Sequence, residues 1–285
     1  MECKNQQQRP QPTKYECLLF DVDDTLYSLS CGLSKQCTKN IEEYMVQELG
    51  IEKDRVAEMN QFLYRNYGTS MAGLKAVGYE FDNDHYHSFV HGRLPYHNLK
   101  RDPVLINLLL SLPIRKVVFS NADEVHVAKV LSRLGLEGCF ERIICFESLN
   151  SSGLDSASDD GSESDSKSSM PNSEIDSDAR PPLPITPVLC KPSQHAFESA
   201  LKIANIDPKR TLFLDDSIRN IKTGKAMGLD TVLVGSSNRT NGVDYALESI
   251  HNMREALPQL WEMDEKMKNT RLSGKIALET SVVMA

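Results

Sequence analysis

Short apolar runs alternate with longer helical patterns along most of the chain. The apolar runs predict buried strands at 17–22, 116–120, 142–147, 210–216 and 231–235. Between them, apolar residues recur every three or four positions, which predicts helices at 104–112, 124–134, 193–204 and 218–226. Strands separated by helices of this length are typical of parallel sheets with right-handed crossovers. The pattern therefore predicts an α/β fold with a Rossmann-like parallel sheet as its core.

A helical block interrupts this rhythm directly after the first strand. Ile41, Tyr44 and Met45 have helical spacing, Gly50 and Gly78 are suited to end helices, and further helical stretches are predicted at 53–66, 69–77 and 82–90. We therefore divide the chain into a core of 16–29 and 98–260 and an all-helical cap of 30–97, inserted after the first strand.

Three segments have no pattern that could form a packed core. Residues 148–187 are rich in Ser, Asp and Glu, so we expect a disordered acidic insert within the core. It is either an inert insertion or, as the sharper hypothesis, the target of a kinase that phosphorylates its serines. Residues 1–15 are also expected to be disordered, and the tail 268–285 receives no assigned structure.

Composition and charge narrow the partners and the compartment. The 285 residues carry a net charge of −8, which argues against non-specific nucleic-acid binding. The apolar run 104–113 is too short to cross a bilayer, so we expect no membrane partner, and the polar N-terminus has no export signal. Seven cysteines without a CxxC pair indicate reduced thiols, and so a cytoplasmic or nuclear protein.

Polar side chains cluster where the predicted strands end. They are Asp21 and Asp23 after the first strand, Ser120 and Asn121 after the second, Asp215 and Asp216 after the fourth, and Lys191 before the helix at 193–204. Because ligands bind beyond the carboxyl ends of parallel strands, these groups are expected to share one crevice. Clustered carboxylates need a cation, and oxygen ligands favour Mg²⁺. A phosphoryl group could then bridge the metal, Lys191 and Ser120.

Four motifs, taken together, resemble those of a known family. DxDDT at the first strand end, FSNAD on the second, KP before the helix at 193–204 and FLDDS on the fourth are similar to the motifs of haloacid dehalogenase (HAD)-like phosphatases. FLYRNYGTSMAGL and HGRLPYHNLKRDP in the cap resemble the pyrimidine 5'-nucleotidase-like branch of plants and fungi. The acidic insert before Lys191 departs from the family pattern. The resemblance implies a Mg²⁺-dependent phosphatase acting on a small phosphorylated metabolite, with a nucleoside 5'-monophosphate as first choice.

The same resemblance implies roles for individual residues. Asp21 would be the nucleophile that forms an aspartyl-phosphate, and Asp23 would protonate the leaving alcohol and then activate water. Lys191 would neutralise the developing charge, while Ser120 and Asn121 would bind the phosphoryl group. The oxygens that would hold Mg²⁺ come from Asp216, Asp215, Asp21 and the backbone carbonyl of Asp23.

Several residues have a plainer interpretation. Asn121 could only cap the next helix, and Lys191 could be a solvated loop residue. Tyr64 and Tyr67 either stack on the substrate or belong to the cap core. Four histidines of the cap (His85, His87, His91 and His97) invite a metal interpretation, but polar surface or cap–core contacts are the simpler explanation.

Two other functions remain open at this point. The protein could be a phosphatase or phosphomutase for sugar phosphates. It could also be a non-catalytic binding protein that retains the HAD fold, although every reacting residue of the motifs is present.

Overall fold

A computed structural model describes residues 14–151 and 183–261 of the chain. Within these ranges six strands form one sheet in the order β3-β2-β1-β4-β5-β6, and every neighbouring pair is parallel. The strands are β1 (Cys17–Phe20), β2 (Arg115–Phe119), β3 (Arg142–Ile144), β4 (Thr211–Asp215), β5 (Asp230–Val234) and β6 (Tyr245–Leu247). The predicted α/β fold class, with its parallel Rossmann-like sheet, is confirmed.

The sheet is covered by apolar residues on both faces. In β1, Leu18 and Phe20 pack into one hydrophobic cluster, while Cys17 and Leu19 pack into another on the opposite face. Successive side chains of a strand point to opposite faces, so a strand in the middle of such a sheet must be apolar throughout. This is why the central strands appear as unbroken apolar runs in the sequence.

In the described part of the chain, six α-helices accompany the strands of the core. They are α5 (Pro103–Ser111), α6 (Glu124–Leu134), α7 (Phe146–Asn150), α8 (Gln194–Ala204), α9 (Ile218–Ala226) and α10 (Met253–Ala256). The helix predicted at 124–134 has these same bounds, because the Asp123 side chain caps its first turn and Gly135 adopts the left-handed conformation at its end. No helix in the described ranges combines the length and apolarity needed to cross a bilayer.

Two expectations about the third strand and the segment after it were wrong. The strand ends at Ile144 rather than 147, and α7 starts at Phe146, where the backbone N–H of Cys145 donates to the Ser148 hydroxyl. Residues 148–150 therefore belong to a helix and not to the insert. Residues 152–182 of the predicted insert lie outside the described residues, whereas 151 and 183–187 are described and form neither helix nor strand. The sheet also gains β6, which is only three residues long and too short to leave a recognisable pattern.

Disorder was expected for residues 1–15, but the structure describes the chain from residue 14 onwards. Tyr15 is buried, and its hydroxyl donates to Asp230 at the start of β5 at 2.8 Å. The tail predicted at 268–285 and residues 1–13 lie outside the described ranges.

Between β1 and α5 the chain forms four helices, which we call the cap. They are α1 (Leu33–Gln47), α2 (Lys53–Tyr67), α3 (Ser70–Ala76) and α4 (Asn83–Val90). Their apolar faces form a hydrophobic cluster of their own, which also includes Phe146, Val188 and Cys190 from the core. The cap is thus packed onto the carboxyl-end side of the sheet near Lys191.

Candidate active site

The sheet brings the polar ends of three strands together. Asp21 directly follows β1, and its backbone N–H donates to Leu214 of β4 at 2.9 Å. Ser120 directly follows β2, and its N–H donates to Ile144 of β3 at 2.9 Å. Because β1 lies between β2 and β4, these strand ends are neighbours, as the sequence pattern predicts for a parallel sheet.

Lys191 reaches the same place from the loop before α8, where it is 1% exposed. Its ammonium donates to Asp21 Oδ1, to Asp215 Oδ2 and to the carbonyl oxygen of Phe119, each at 2.7 Å. Burial alone would lower the pKa of Lys191, but the two carboxylates raise it, so the group stays charged. A solvated loop lysine would have none of these contacts.

Asn121 positions the backbone of Lys191 rather than capping a helix. Its amide accepts from Lys191 N–H at 2.7 Å and donates to Lys191 C=O at 3.0 Å. The cap of α6 is Asp123 instead. Ser120 is buried beside it, and its hydroxyl oxygen accepts from the N–H of Ala122 at 3.1 Å. Its own hydroxyl proton can still be donated to a ligand.

Three carboxylates form a group that suits a hard cation. One oxygen from each of Asp21, Asp215 and Asp216 lies within 4.8 Å of the other two. Burial and the charges of Asp215 and Asp216 raise the pKa of Asp21, which Lys191 opposes. Although Asp216 as a residue is open to solvent, desolvation of its carboxyl group and the charge of Asp215 raise its pKa to about 7. Oxygen ligands that repel one another in this way fit Mg²⁺.

The two neighbouring aspartates have different surroundings. Asp215 is fully buried and accepts from Lys191, from the Asn220 side chain at 2.9 Å and from the Ser217 N–H at 2.8 Å. Asp216 lines the cavity between cap and core. Asp215 therefore helps to fix the frame of the site, and Asp216 is the more accessible of the two carboxylates.

Asp23 also faces this cavity, but its carboxylate is held by two residues that the sequence analysis missed. His126 Nε2 lies 2.7 Å from Asp23 Oδ1, and the Tyr27 hydroxyl donates to the same oxygen at 2.5 Å. Burial opposes ionisation, yet His126 and Tyr27 together lower the pKa of Asp23. The strand ends at Phe20 and Asp24 adopts a positive φ of 57°, so a turn, not an extended strand, sets the position of Asp23.

A cavity of about 770 Å³ lies between the cap and these strand ends. Tyr64 lines it, and the Arg219 guanidinium stacks on the Tyr64 ring at 4.4 Å. Arg219 also donates to the backbone carbonyls of Tyr64 and Arg65, so it links α9 to the cap. Tyr67 is not among the residues that line the cavity; its ring packs against Gly73 within the cap.

The four cap histidines occupy different places. His85 and His97 are exposed, whereas His87 and His91 line the cavity. These two lie between the cap and Asp123 of the core, close to His126. No regularity in the sequence pairs them with residues 123 and 126, because only the contact between the C-terminal end of α4 and the start of α6 brings the four together.

One segment of the chain matches a known family model. Residues 188–262 match a family model described as HAD-hydrolase-like, and this segment contains Lys191, Asp215 and Asp216. The description covers the hydrolase class and does not extend to a substrate.

A curated relative matches part of the chain, and two solved structures have a similar fold. Phosphate metabolism protein 8 of Saccharomyces cerevisiae is 28% identical over 142 residues, a match that spans 47% of this chain and 44% of the relative. A HAD phosphatase from Thermococcus onnurineus has a TM-score of 0.51 at 16% identity, over 85% of this chain and 97% of that one. CbbY from Rhodobacter sphaeroides, solved with phosphate, has a TM-score of 0.52 at 17% identity, over 86% and 99%. The two structures share the fold of this chain.

Proposed function

We propose that the protein is a Mg²⁺-dependent phosphatase that hydrolyses a small phosphomonoester through an aspartyl-phosphate on Asp21. The observation that carries the proposal is the buried Lys191 ammonium between Asp21 and Asp215. A fixed positive charge beside a carboxylate at the edge of a cavity favours attack by that carboxylate on an anionic phosphoryl group. The name of the yeast relative, a phosphate metabolism protein, is consistent with this chemistry.

The contacts of each site residue favour a particular step of the proposed reaction. Lys191 binds one oxygen of Asp21, and the other oxygen attacks phosphorus in line. The Ser120 hydroxyl and the Lys191 ammonium offer donors to the phosphoryl oxygens as negative charge accumulates there. Asp21, Asp216 and Asp215, with the backbone carbonyl of Asp23, would hold Mg²⁺. When bound, the ion supplies compensation for the charge of the phosphoryl group.

Asp23 would act as general acid and then as general base. Both His126 and Tyr27 contact its Oδ1, which leaves Oδ2 for proton exchange with the leaving oxygen and later with water. The charge of Asp23 raises the pKa of His126, although burial opposes this, so the pair retains a proton close to the reacting atoms. An alkoxide leaving group needs such a proton, which favours phosphate esters as substrates.

A nucleoside 5'-monophosphate, with a pyrimidine base, is the proposed substrate class. The cavity volume of about 770 Å³ is within the range of small-molecule sites and leaves room for a sugar and a base beyond the phosphoryl group. Tyr64, 49% exposed at the cavity, offers an aromatic face for a base. The resemblance of the cap motifs to the nucleotidase-like branch favours the same class.

The decisive experiment compares wild type with Asp21→Asn and with Asp54→Asn, an exposed carboxylate on α2 outside the cavity. Phosphate release with Mg²⁺ should fall by more than about 1,000-fold in Asp21→Asn and stay unchanged in Asp54→Asn. Acid-quenched wild type should carry phosphate on Asp21. Full activity of Asp21→Asn would refute the proposed mechanism.

A substrate panel separates the finer alternatives. Hydrolysis of UMP and CMP well above that of sugar phosphates supports the nucleotidase assignment. The reverse preference would favour a sugar-phosphate phosphatase, and transfer of phosphate without its release would favour a mutase.

A further inference from the structure

A second group of possible metal ligands lies where the cap meets the core, separate from the three aspartates. His87 lies on α4, and His91 is its C-cap residue with helical dihedral angles, so the two side chains, four positions apart, share one face. Asp123, the N-cap of α6, approaches them from the core. One candidate ligand atom from each residue lies within 4.8 Å of the other two. Two imidazoles and one carboxylate are a donor set typical of zinc sites.

His87 indicates that a ligand binds here, because its ring nitrogens lack hydrogen-bond partners. The residue is 6% exposed, and neither of its ring nitrogens has a hydrogen-bond partner among the described residues. Its Nδ1 is directed at the cluster, 3.7 Å from Asp123 Oδ1, which is beyond hydrogen-bond distance. A buried polar group without a partner is costly, and native structures seldom leave one unsatisfied.

His126 stands close to the cluster but is not available as a ligand. Its ring centroid lies 4.6 Å from that of His91. Both of its nitrogens are engaged, Nδ1 with the Tyr96 hydroxyl at 2.8 Å and Nε2 with Asp23 at 2.7 Å. The set of ligands is therefore three protein side chains, with a further position open towards the cavity that His87 and His91 line.

We propose that His87, His91 and Asp123 bind a divalent transition-metal ion of the Zn²⁺ type at the contact between cap and core. Imidazole nitrogens select such ions over Mg²⁺, which prefers oxygen ligands. The ion would connect α4 of the cap to the start of α6 and so stabilise the packed position of the cap. This site goes beyond the proposed phosphatase function and shares no side chain with the aspartate group.

Metal binding would replace the direct contact between His91 Nδ1 and Asp123 Oδ1. Zinc–ligand bonds of about 2.0–2.1 Å in a tetrahedron place ligand atoms roughly 3.3 Å apart. Only a small separation of these two side chains is needed, and His87 would gain its missing partner. Without a metal, the His91–Asp123 pair would be a cap–core contact and nothing more, which is the alternative that the experiment must exclude.

The test measures Zn²⁺ binding to the full chain after removal of metals, in excess Mg²⁺ so that the aspartate group is saturated. Isothermal titration should find one high-affinity Zn²⁺ per chain. Co²⁺ in place of Zn²⁺ should give the visible spectrum of a four- or five-coordinate site with nitrogen and oxygen ligands, without a thiolate charge-transfer band. A cysteine-based site, which would overturn the proposal, would show that band.

Variants then locate the site. His87→Gln and Asp123→Asn should each weaken Zn²⁺ binding by more than about 100-fold and abolish the Co²⁺ spectrum. Asparagine keeps the helix cap, so Asp123→Asn should retain the fold. His85→Gln, an exposed histidine of the same helix, is the matched control and should bind as wild type does. High-affinity binding that survives in His87→Gln, or its absence from the wild type, would overturn the proposal.

Discussion

Replacement of Lys191 by Met tests the electrostatic basis of the candidate active site. The ammonium, 1% exposed, makes three hydrogen bonds of 2.7 Å, two of them to carboxylates. Methionine fills much of the same volume but leaves Asp21 without its cation. Asp215 keeps its contacts with Asn220 and Ser217, so most of the cost falls on Asp21.

The expected loss in the free energy of unfolding is about 3–5 kcal/mol, the usual effect of removing one partner of a buried ion pair. Lys202→Met provides the control, since Lys202 is exposed on α8, and should change stability by less than about 0.5 kcal/mol. Urea unfolding of the full chain at about pH 7, without divalent ions, gives both values.

The pH dependence gives an independent check of the cause. The pKa of Asp21 is already raised above its ordinary value by burial, and loss of Lys191 removes the group that lowers it. A raised carboxyl pKa means that the folded state binds a proton more tightly than the unfolded chain does. The loss in the variant's free energy of unfolding is therefore complete above the pKa of Asp21 in the folded state, and it shrinks as the pH falls towards about 4.

Added Mg²⁺ should also reduce the deficit, because it compensates the same carboxylates. A loss below about 1 kcal/mol, as for exposed ion pairs, would refute the reasoning. So would a deficit that stays constant with pH.

Three further predictions concern the metal, the cap and the general acid. The pKa of Asp216 is raised to about 7, so protons should compete with Mg²⁺ for its carboxylate below that pH. The apparent Mg²⁺ affinity measured by calorimetry should therefore fall about tenfold per pH unit below 7 and stay constant above it. An affinity that does not change with pH would contradict this. In urea unfolding, Gly68→Ala should lower the free energy of unfolding by about 1–3 kcal/mol more than Gly50→Ala does. Both glycines have positive φ, but only at Gly68 would an added Cβ lie 2.3 Å from the backbone oxygen of Lys191 in the core. Equal losses would argue against the close contact between cap and core. His126→Leu should lower kcat by about 100-fold with little change in KM, because it removes a partner of Asp23; an effect on KM alone would assign His126 to substrate binding.

Local patterns in the sequence were sufficient for most of the core. The short apolar runs in β1, β2, β4 and β5 follow from burial on both faces, and the capping residues set helix ends such as those of α6. Where an apolar run was short, the sequence pattern predicted a wrong strand end or missed the strand. The run 142–147 continues in apolar residues past the end of β3, and β6 has only three residues. Apolarity alone does not distinguish a strand from the first turn of a helix.

For the candidate site, the parallel topology makes the sequence informative. Residues at or directly after the carboxyl ends of parallel strands must lie at one edge of the sheet, so Asp21, Ser120 and Asp215 could be grouped without coordinates. The different surroundings of Asp215 and Asp216 could not be predicted, because they depend on which carboxylate meets Lys191 and Asn220.

Only the tertiary structure decided which residues meet across the cap–core boundary. His126 is 103 positions from Asp23, and Asp123 is 32 from His91, separations at which no sequence period relates two side chains. Such contacts arise from the packing of whole helices, which depends on the summed shape of many apolar side chains and not on any local motif. The strand-end chemistry was therefore determined by the sequence, while the histidine contacts around it were determined by the docking of the cap.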